Sequence, residues 1–257
     1  MAFAEDRATA MAEEPPTRSV LLRVHRHNPA VPGDVPRVVE YRVPLTKGLT
    51  VLDALLQVKE QQEPGLAFRY SCRMGICGSC GMLINGQPRL ACELQIDSLG
   101  TDAIEIGPLP GYPLIRDAAT DFREFFRRHA EVKPYLVRPE NGGDAPVEKE
   151  FLQSEAEKLA YYQFSMCIMC GLCNAACPIA LLDREFLGPQ ALAQAYRFTA
   201  DSRDRGWRER VDVVDSPRGC WRCELAGSCS VVCPKGVDPS LGVQLLKRET
   251  LRRRFFK

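Results

Sequence analysis

No stretch of this 257-residue chain approaches the roughly 18 uninterrupted apolar residues that a membrane-spanning helix needs, so it is not expected to cross a bilayer by itself. Charge of one sign is equally scarce. Thirty-four Lys and Arg face 33 Asp and Glu, leaving +1, and no overall field draws the molecule to nucleic acid or to a membrane. Histidine is rare, and the three present, His25, His27 and His129, stand in no ligand spacing. The opening MAFAEDRATAMAEEPPTR carries early acids and no apolar core, which fits neither a secretory signal nor an Arg-rich transit peptide; residues 1–17 are read as a flexible extension.

What the chain has in quantity is cysteine, 12 in all. Without an export signal these point away from disulfides and toward metal or redox chemistry, because a reducing compartment keeps thiols free. They fall in three blocks: Cys72, Cys77, Cys80, Cys92; then Cys167, Cys170, Cys173, Cys177; then Cys220, Cys223, Cys229, Cys233. In SCRMGICGSCGMLINGQPRLAC the first block reads C-x4-C-x2-C with a fourth cysteine further on, the plant-type 2Fe–2S ferredoxin spacing. Glycines at 75, 78 and 81 let that loop fold tightly and turn amide groups toward sulfur. A structural zinc site of four thiolates is the competing reading, but zinc ribbons use paired C-x2-C knuckles.

The second block, CIMCGLCNAACP, is the C-x2-C-x2-C-x3-C-P run of bacterial-type ferredoxins, in which the fourth cysteine ligates the other cluster. Laid on the third block, the same intervals give positions 223, 226, 229 and 233 followed by Pro234, with Ala226 where a thiol is due. Cross-ligation then assigns Cys167, Cys170, Cys173 and Cys233 to a 4Fe–4S cluster and Cys177, Cys223 and Cys229 to a second site that lacks one protein ligand. The simplest outcome there is a 3Fe–4S cluster. Cys220 precedes the repeat and is read as an ordinary buried or free thiol, with a swing into the ligand set as the alternative.

Strand-like runs at 19–26 and 38–45, a helix after Thr50 with Asp53 at capping-box spacing, and a hairpin of GMLI and RLACELQI around Asn85-Gly86 predict a small mixed sheet on one helix, with AIEI at 103–106 as a further strand. From about residue 118 the pattern turns helical, and RPENGGDAPVEKE reads as a connection. A capping-box pair at Ser154 and Glu157 precedes LAYYQFSM, Pro189 opens a helix through Tyr196, and VQLLKRETLRRRFF closes the chain. The expected fold is α+β: an N-terminal β-grasp plant-type ferredoxin domain over 18–130, then an all-helical, bacterial-ferredoxin-like domain over 131–257 carrying the 4Fe–4S and 3Fe–4S clusters.

On SCRMGICGSCG, CIMCGLCNAACP and CELAGSCSVVCPKGVDP, the sequence resembles the iron–sulfur subunits of the succinate dehydrogenase and fumarate reductase family over nearly all of residues 19–250. It is similar in wording to fumarate-reductase-type members more than to the mitochondrial type. The resemblance implies three clusters in line, an FAD-containing flavoprotein partner that interconverts succinate and fumarate in the chemistry of the tricarboxylic acid cycle, and no catalytic residue on this chain. It also implies one or more membrane anchor subunits, a quinone near the three-iron centre, and a peripheral place on the cytoplasmic face of a bacterial inner membrane, with no nucleic-acid partner.

Three quinone-site positions carry over by match: Pro178 after Cys177, Lys247 fourteen residues after Cys233, and Gln244 one turn earlier. Leu182 and Glu224 stand where ubiquinone-reducing members have tryptophan and histidine, which favours menaquinone. For Lys247 a solvated helical face is the plain alternative. The basic tail, Arg252 to Arg254 and Lys257, suits either anionic headgroups and an anchor subunit or a solvated helix end. Two other functions compete: an electron-transfer subunit for a different flavin-dependent dehydrogenase, and a zinc-stabilised binding module.

Overall fold

The computed structural model describes residues 18–138 and 150–255; the expected extension at 1–17, most of the connection at 138–150, and Lys257 lie outside the described residues. In the first half, β1 (Ser19–Arg26) follows its apolar alternation, with Val20, Leu22 and Val24 fully buried. It pairs antiparallel with β2 (Arg37–Pro44). Thr50 then caps α1 (Val51–Gln61) in the expected reciprocal box with Asp53. β3 (Gly81–Ile84) and β4 (Gln87–Leu90) form the hairpin. Its turn residues Asn85 and Gly86 both have positive φ, as a two-residue type I′ connection requires.

β5 (Ala103–Gly107) completes a sheet of order β2-β1-β5-β3-β4, in which the central β1–β5 pair is parallel. This sheet grips α1, whose Leu52, Leu55 and Val58 share one core with Leu22, Ile104 and Ile106. The hairpin's second strand is shorter than its sequence suggests. It stops at Leu90, and residues 91–93 turn, because Ala91 N–H bonds back to Cys80 O and carries Cys92 toward the cysteine loop instead of along the sheet. A short ribbon of β6 (Leu114–Arg116) and β7 (Ala119–Thr120) was not legible in the sequence. It is held by buried Asp117, which accepts from Arg26 Nε at 2.9 Å and from the His27 and Ala67 amides.

α2 (Arg123–Glu131) leads into the second core, to which Val132 already belongs. The expected helix after Ser154 forms as two pieces, α3 (Glu155–Leu159), with its capping box, and α4 (Tyr162–Ser165). α5 (Leu172–Ala176), α6 (Pro178–Leu182), α7 (Pro189–Thr199), α8 (Trp207–Val214), α9 (Ser228–Val231) and α10 (Pro239–Phe255) follow, and no described residue after Thr120 is in a strand. α10 starts four residues before the expected run at Val243, because Asp238 accepts from Leu241 N–H and sets the first turn at Pro239. Leu192, Tyr196, Val243 and Leu246 of α7 and α10 pack with Phe164 and Phe186. The halves are not separate bodies: Leu172 and Ala175 of α5 are buried in the core of the sheet half.

Arg210 on α8 is fully buried and ties the segment after α2 to the helical core. It bonds Asp204 through two nitrogens at 2.6 and 3.0 Å and donates to the carbonyls of Val132, Lys133 and Tyr135. Removing one partner of a buried ion pair strands the other, at about 3–5 kcal/mol. Arg210→Leu is therefore expected to lower the thermal midpoint followed by circular dichroism by about 10 °C. An Arg208→Leu control on the exposed side of α8 should move it little.

Candidate metal centres

The first thiol set is built on one loop and one turn. Cys72 and Cys77 lie in the irregular segment ahead of β3, Cys80 sits at the start of the strand, and Cys92 comes from the turn after β4. Backbone amides converge on the sulfurs: Met74, Ile76 and Cys77 donate to Cys72 Sγ at 3.3–3.5 Å, Gly75 to Cys92 Sγ at 3.2 Å, and Cys72 to Cys77 Sγ at 3.4 Å. Amides aimed at sulfur offset negative charge, so the loop suits thiolates and bridging sulfide. The electrostatics are graded across it. A hydrogen bond from Ser79 lowers the Cys77 thiol to about 6, whereas burial pushes Cys80 up to about 12.

The second and third sets form two cavities. One is walled by Cys167, Cys170, Cys173 and Cys233, together with Gln190, Gln194 and Pro234. The other is walled by Cys177, Cys223 and Cys229, with Pro178, Glu224, Leu225 and Ala226. The thiols feel one another mostly within these groupings: Cys233 raises Cys167, Cys167 and Cys233 raise Cys170, and Cys223 raises Cys177, while Cys173 is raised both by its own set and by Cys229 of the other cavity. Burial is the largest cause in each case, and it lifts Cys170 to about 12 and Cys229 to about 11. Among the described residues no three His, Cys, Asp or Glu side chains close on a point as they would around one metal ion; the thiols instead ring a volume, a donor set that fits an iron–sulfur cluster.

The backbone repeats as the cysteine register does. Met169 and Leu225 both have positive φ, and Gly171 and Gly227 both cap their helices, α5 and α9, in the left-handed region. Each of these short segments brings one thiol to each cavity: Cys173 lies within α5 and Cys177 caps its end, and Cys229 lies within α9 with Cys233 just beyond it. Ala226 occupies the wall where Cys170 stands in the other repeat.

The first and second thiol loops also touch. A Cβ added at Gly78, φ +72, would fall 2.8 Å from Cys170 Cβ and 2.9 Å from its Cα. Nearby, Lys235 Nζ reaches Glu93 at 3.2 Å, joining the residue after Cys92 to the loop after Cys233. The three sites therefore run in file, the two-iron loop against the second cavity and the second against the third.

Cys220 is fully buried, hydrogen-bonded to Thr250, and does not wall the third cavity. Trp221 is partly exposed, and its indole N–H donates to Asp215 at 2.6 Å. The three quinone-site candidates gather at the third cavity. Pro178 lines it, Gln244 Nε2 stands 4.0 Å from Cys223 Sγ, and Lys247 Nζ donates to the Cys223 carbonyl at 2.9 Å. Lys247 is thus not on a merely solvated face. Sequence reasoning passed over Gln190, whose only signal was its place beside the helix-opening Pro189.

Residues 21–127 match a 2Fe–2S iron–sulfur cluster binding domain, and residues 163–237 match a 4Fe–4S dicluster domain. The chain is 44% identical over 229 residues to the fumarate reductase iron–sulfur subunit of Mycobacterium tuberculosis, covering 89% of this chain and 91% of that protein. It is 40% identical over 233 residues to the fumarate reductase iron–sulfur subunit of Escherichia coli, covering 91% and 93%. A chain in the structure titled "Mycobacterium smegmatis Sdh1 complex in the apo form" superposes with a TM-score of 0.82 at 25% identity, covering 93% of this chain and 98% of that one.

Gly78→Ala is expected to wedge the two cysteine loops apart. The new methyl meets backbone and Cβ of Cys170 as well as an unfavourable φ, so stability should fall by about 1–3 kcal/mol from backbone strain alone, with the clash added. Gly48→Ala shares the positive φ but meets nothing within 4 Å, and its smaller loss in a parallel melting experiment isolates the contribution of the contact.

Proposed function

The chain belongs to the iron–sulfur subunits of the succinate dehydrogenase and fumarate reductase family, and from that premise we propose that it carries electrons between a flavoprotein partner and a membrane quinone through three centres. The observation that carries this reading is the pair of cavities with interleaved thiols, one of them presenting Ala226 where its twin presents Cys170. Cys72, Cys77, Cys80 and Cys92 hold the two-iron centre, Cys167, Cys170, Cys173 and Cys233 the four-iron centre, and Cys177, Cys223 and Cys229 the three-iron centre. When bound, these clusters accept and return single electrons. The chain's own work is to hold them in file, exclude water and set their charge balance.

Both ends of the file are exposed and apolar. Met74 and Ile76, 70% and 59% exposed, flank the first loop and suit docking of the FAD-containing subunit. At the other end Leu182, Leu225 and Trp221 are exposed near the third cavity, where Pro178, Gln244 and Lys247 would meet the quinone. Leu182 and Glu224 in place of tryptophan and histidine favour menaquinone. No described helix is long and apolar enough to cross a membrane, so one or more anchor subunits would hold this chain on the cytoplasmic face of a bacterial inner membrane.

The purified complex should oxidise succinate or reduce fumarate with a menaquinone analogue, and faster than with a ubiquinone analogue. Inactivity with both dicarboxylates would assign the chain to a different flavin-dependent dehydrogenase. Lys247→Ala should cut quinone-coupled turnover about tenfold or more, about 1.4 kcal/mol or above, while leaving turnover with a soluble dye acceptor intact. Ala226→Cys should restore the missing ligand and add iron to the third centre, which chemical iron analysis and loss of the three-iron electron paramagnetic resonance signal would report.

A further inference from the structure

His129 belongs to no ligand spacing, and Gln190 is a fully polar side chain left 2% exposed beside a cluster cavity. The two meet. Gln190 Nε2 lies 3.1 Å from His129 Nδ1 and 4.0 Å from Cys167 Sγ. An amide nitrogen has two N–H groups and no acceptor, so here one donor serves the imidazole and the other the sulfur. His129 Nδ1 is then the acceptor, and the ring proton sits on Nε2. Burial lowers the His129 pKa and so favours that neutral form.

The arrangement has a cost that identifies it as more than packing. Gln190 Oε1 is buried with no hydrogen-bond partner among the described residues. Turning the amide over would offer Oε1 to the ring but aim a carbonyl dipole at the thiolate. A buried orphan of this kind calls for a reason, and the sulfur supplies one. The backbone supports the same pose: Gln190 N–H is held by Asn174 Oδ1 at 3.3 Å, and Pro189 fixes the first turn of α7.

A second observation points the same way. In the repeat, Cys167 of one run corresponds to Cys223 of the other, and Gln244 Nε2 stands 4.0 Å from Cys223 Sγ. Each run thus brings a glutamine amide to its first cysteine, but from different helices, α7 and α10.

We infer that Gln190, oriented by His129, is a tuning residue for the four-iron centre: its amide holds an N–H on the Cys167 thiolate and raises that centre's reduction potential. A donor to sulfur stabilises the more negative, reduced cluster more than the oxidised one, so removing it makes reduction harder. His129 acts through Gln190 and touches no cluster ligand. The inference rests on the assignment of Cys167, Cys170, Cys173 and Cys233 to a four-iron centre.

The test is a redox titration of the intact complex followed by electron paramagnetic resonance, with the two-iron and three-iron centres as internal references. Gln190→Leu should shift the four-iron midpoint to more negative potential and leave the other two in place, with iron and acid-labile sulfide unchanged. His129→Leu should shift it the same way by a smaller amount, and the double variant should match Gln190→Leu alone. An unmoved four-iron midpoint in both variants, equal movement of all three centres, or additive shifts in the double variant would overturn the inference. Should Gln190→Leu fail to assemble the centre, His129→Leu decides, since it leaves every ligand contact intact. A complex of the unsubstituted chain that shows no four-iron signal would instead remove the assignment beneath it.

Discussion

A thiolate buried without a countercharge is the constraint on which this structure turns. Burial drives the Cys167, Cys170, Cys173, Cys177, Cys220 and Cys229 thiols upward, to about 12 for Cys170 and well above the normal range for the fully enclosed Cys173. Bound iron would take the place of the protons and reverse that preference, which would couple cluster assembly to folding of the helical half. The elements there show why this matters. α4, α5, α6 and α9 are four or five residues long, far below the length at which a helix persists in water. They pack in the helical half, and the thiols at α5, α6 and α9 line the two cavities.

The two halves solve the same charge problem by different means. In the first set, loop amides crowd onto Cys72 and Cys92 from a segment with little regular structure, and two of the four thiols stay accessible. In the helical half backbone amides of Met169, Leu172, Ile179 and Ala180 still reach Cys167, Cys170 and Cys177, and the side-chain amides of Gln190 and Gln244 add to them. Interleaving adds a further coupling. The segments of α5 and α9 each place one thiol at each cavity, so the two cavities share their supporting elements.

How much of this could be read from the chain depends on how local the cause is. Cysteine spacing, the Thr50–Asp53 and Ser154–Glu157 boxes and the Asn85-Gly86 turn are short-range devices, and the structure contains them. Early termination of β4 at Leu90 is a different matter, because it follows from where Cys92 must go, not from the propensity of RLACELQI. The contact of Gly78 with Cys170 joins residues ninety-two apart in the sequence, and the Lys247 bond to Cys223 depends on how α10 lies over the third run. Periodicity made Lys247 look like one basic residue among several. Buried Arg210 was likewise invisible, since its partners are mostly carbonyls, which any sequence would offer.

The two repeats differ in how they face the rest of the protein. Cys170 is packed against the sheet half's core and against Gly78, so the second cavity is enclosed by protein on the side facing the first loop. The matching wall of the third cavity is Ala226, with exposed Leu225 and Glu224 beside it. That corner has one thiol fewer, and the exposed residues Glu224, Leu225 and Ala226 form the wall nearest the surface. Absence of one thiolate and of the iron it would hold alters ligand charge and metal charge together, so the two sites would differ in their surroundings rather than in a simple count of anionic ligands. An enclosed site beside one whose wall is exposed gives the pair two unlike sides. Alanine in place of cysteine at position 226 is therefore the point at which two runs with matching cysteine intervals present different donor sets.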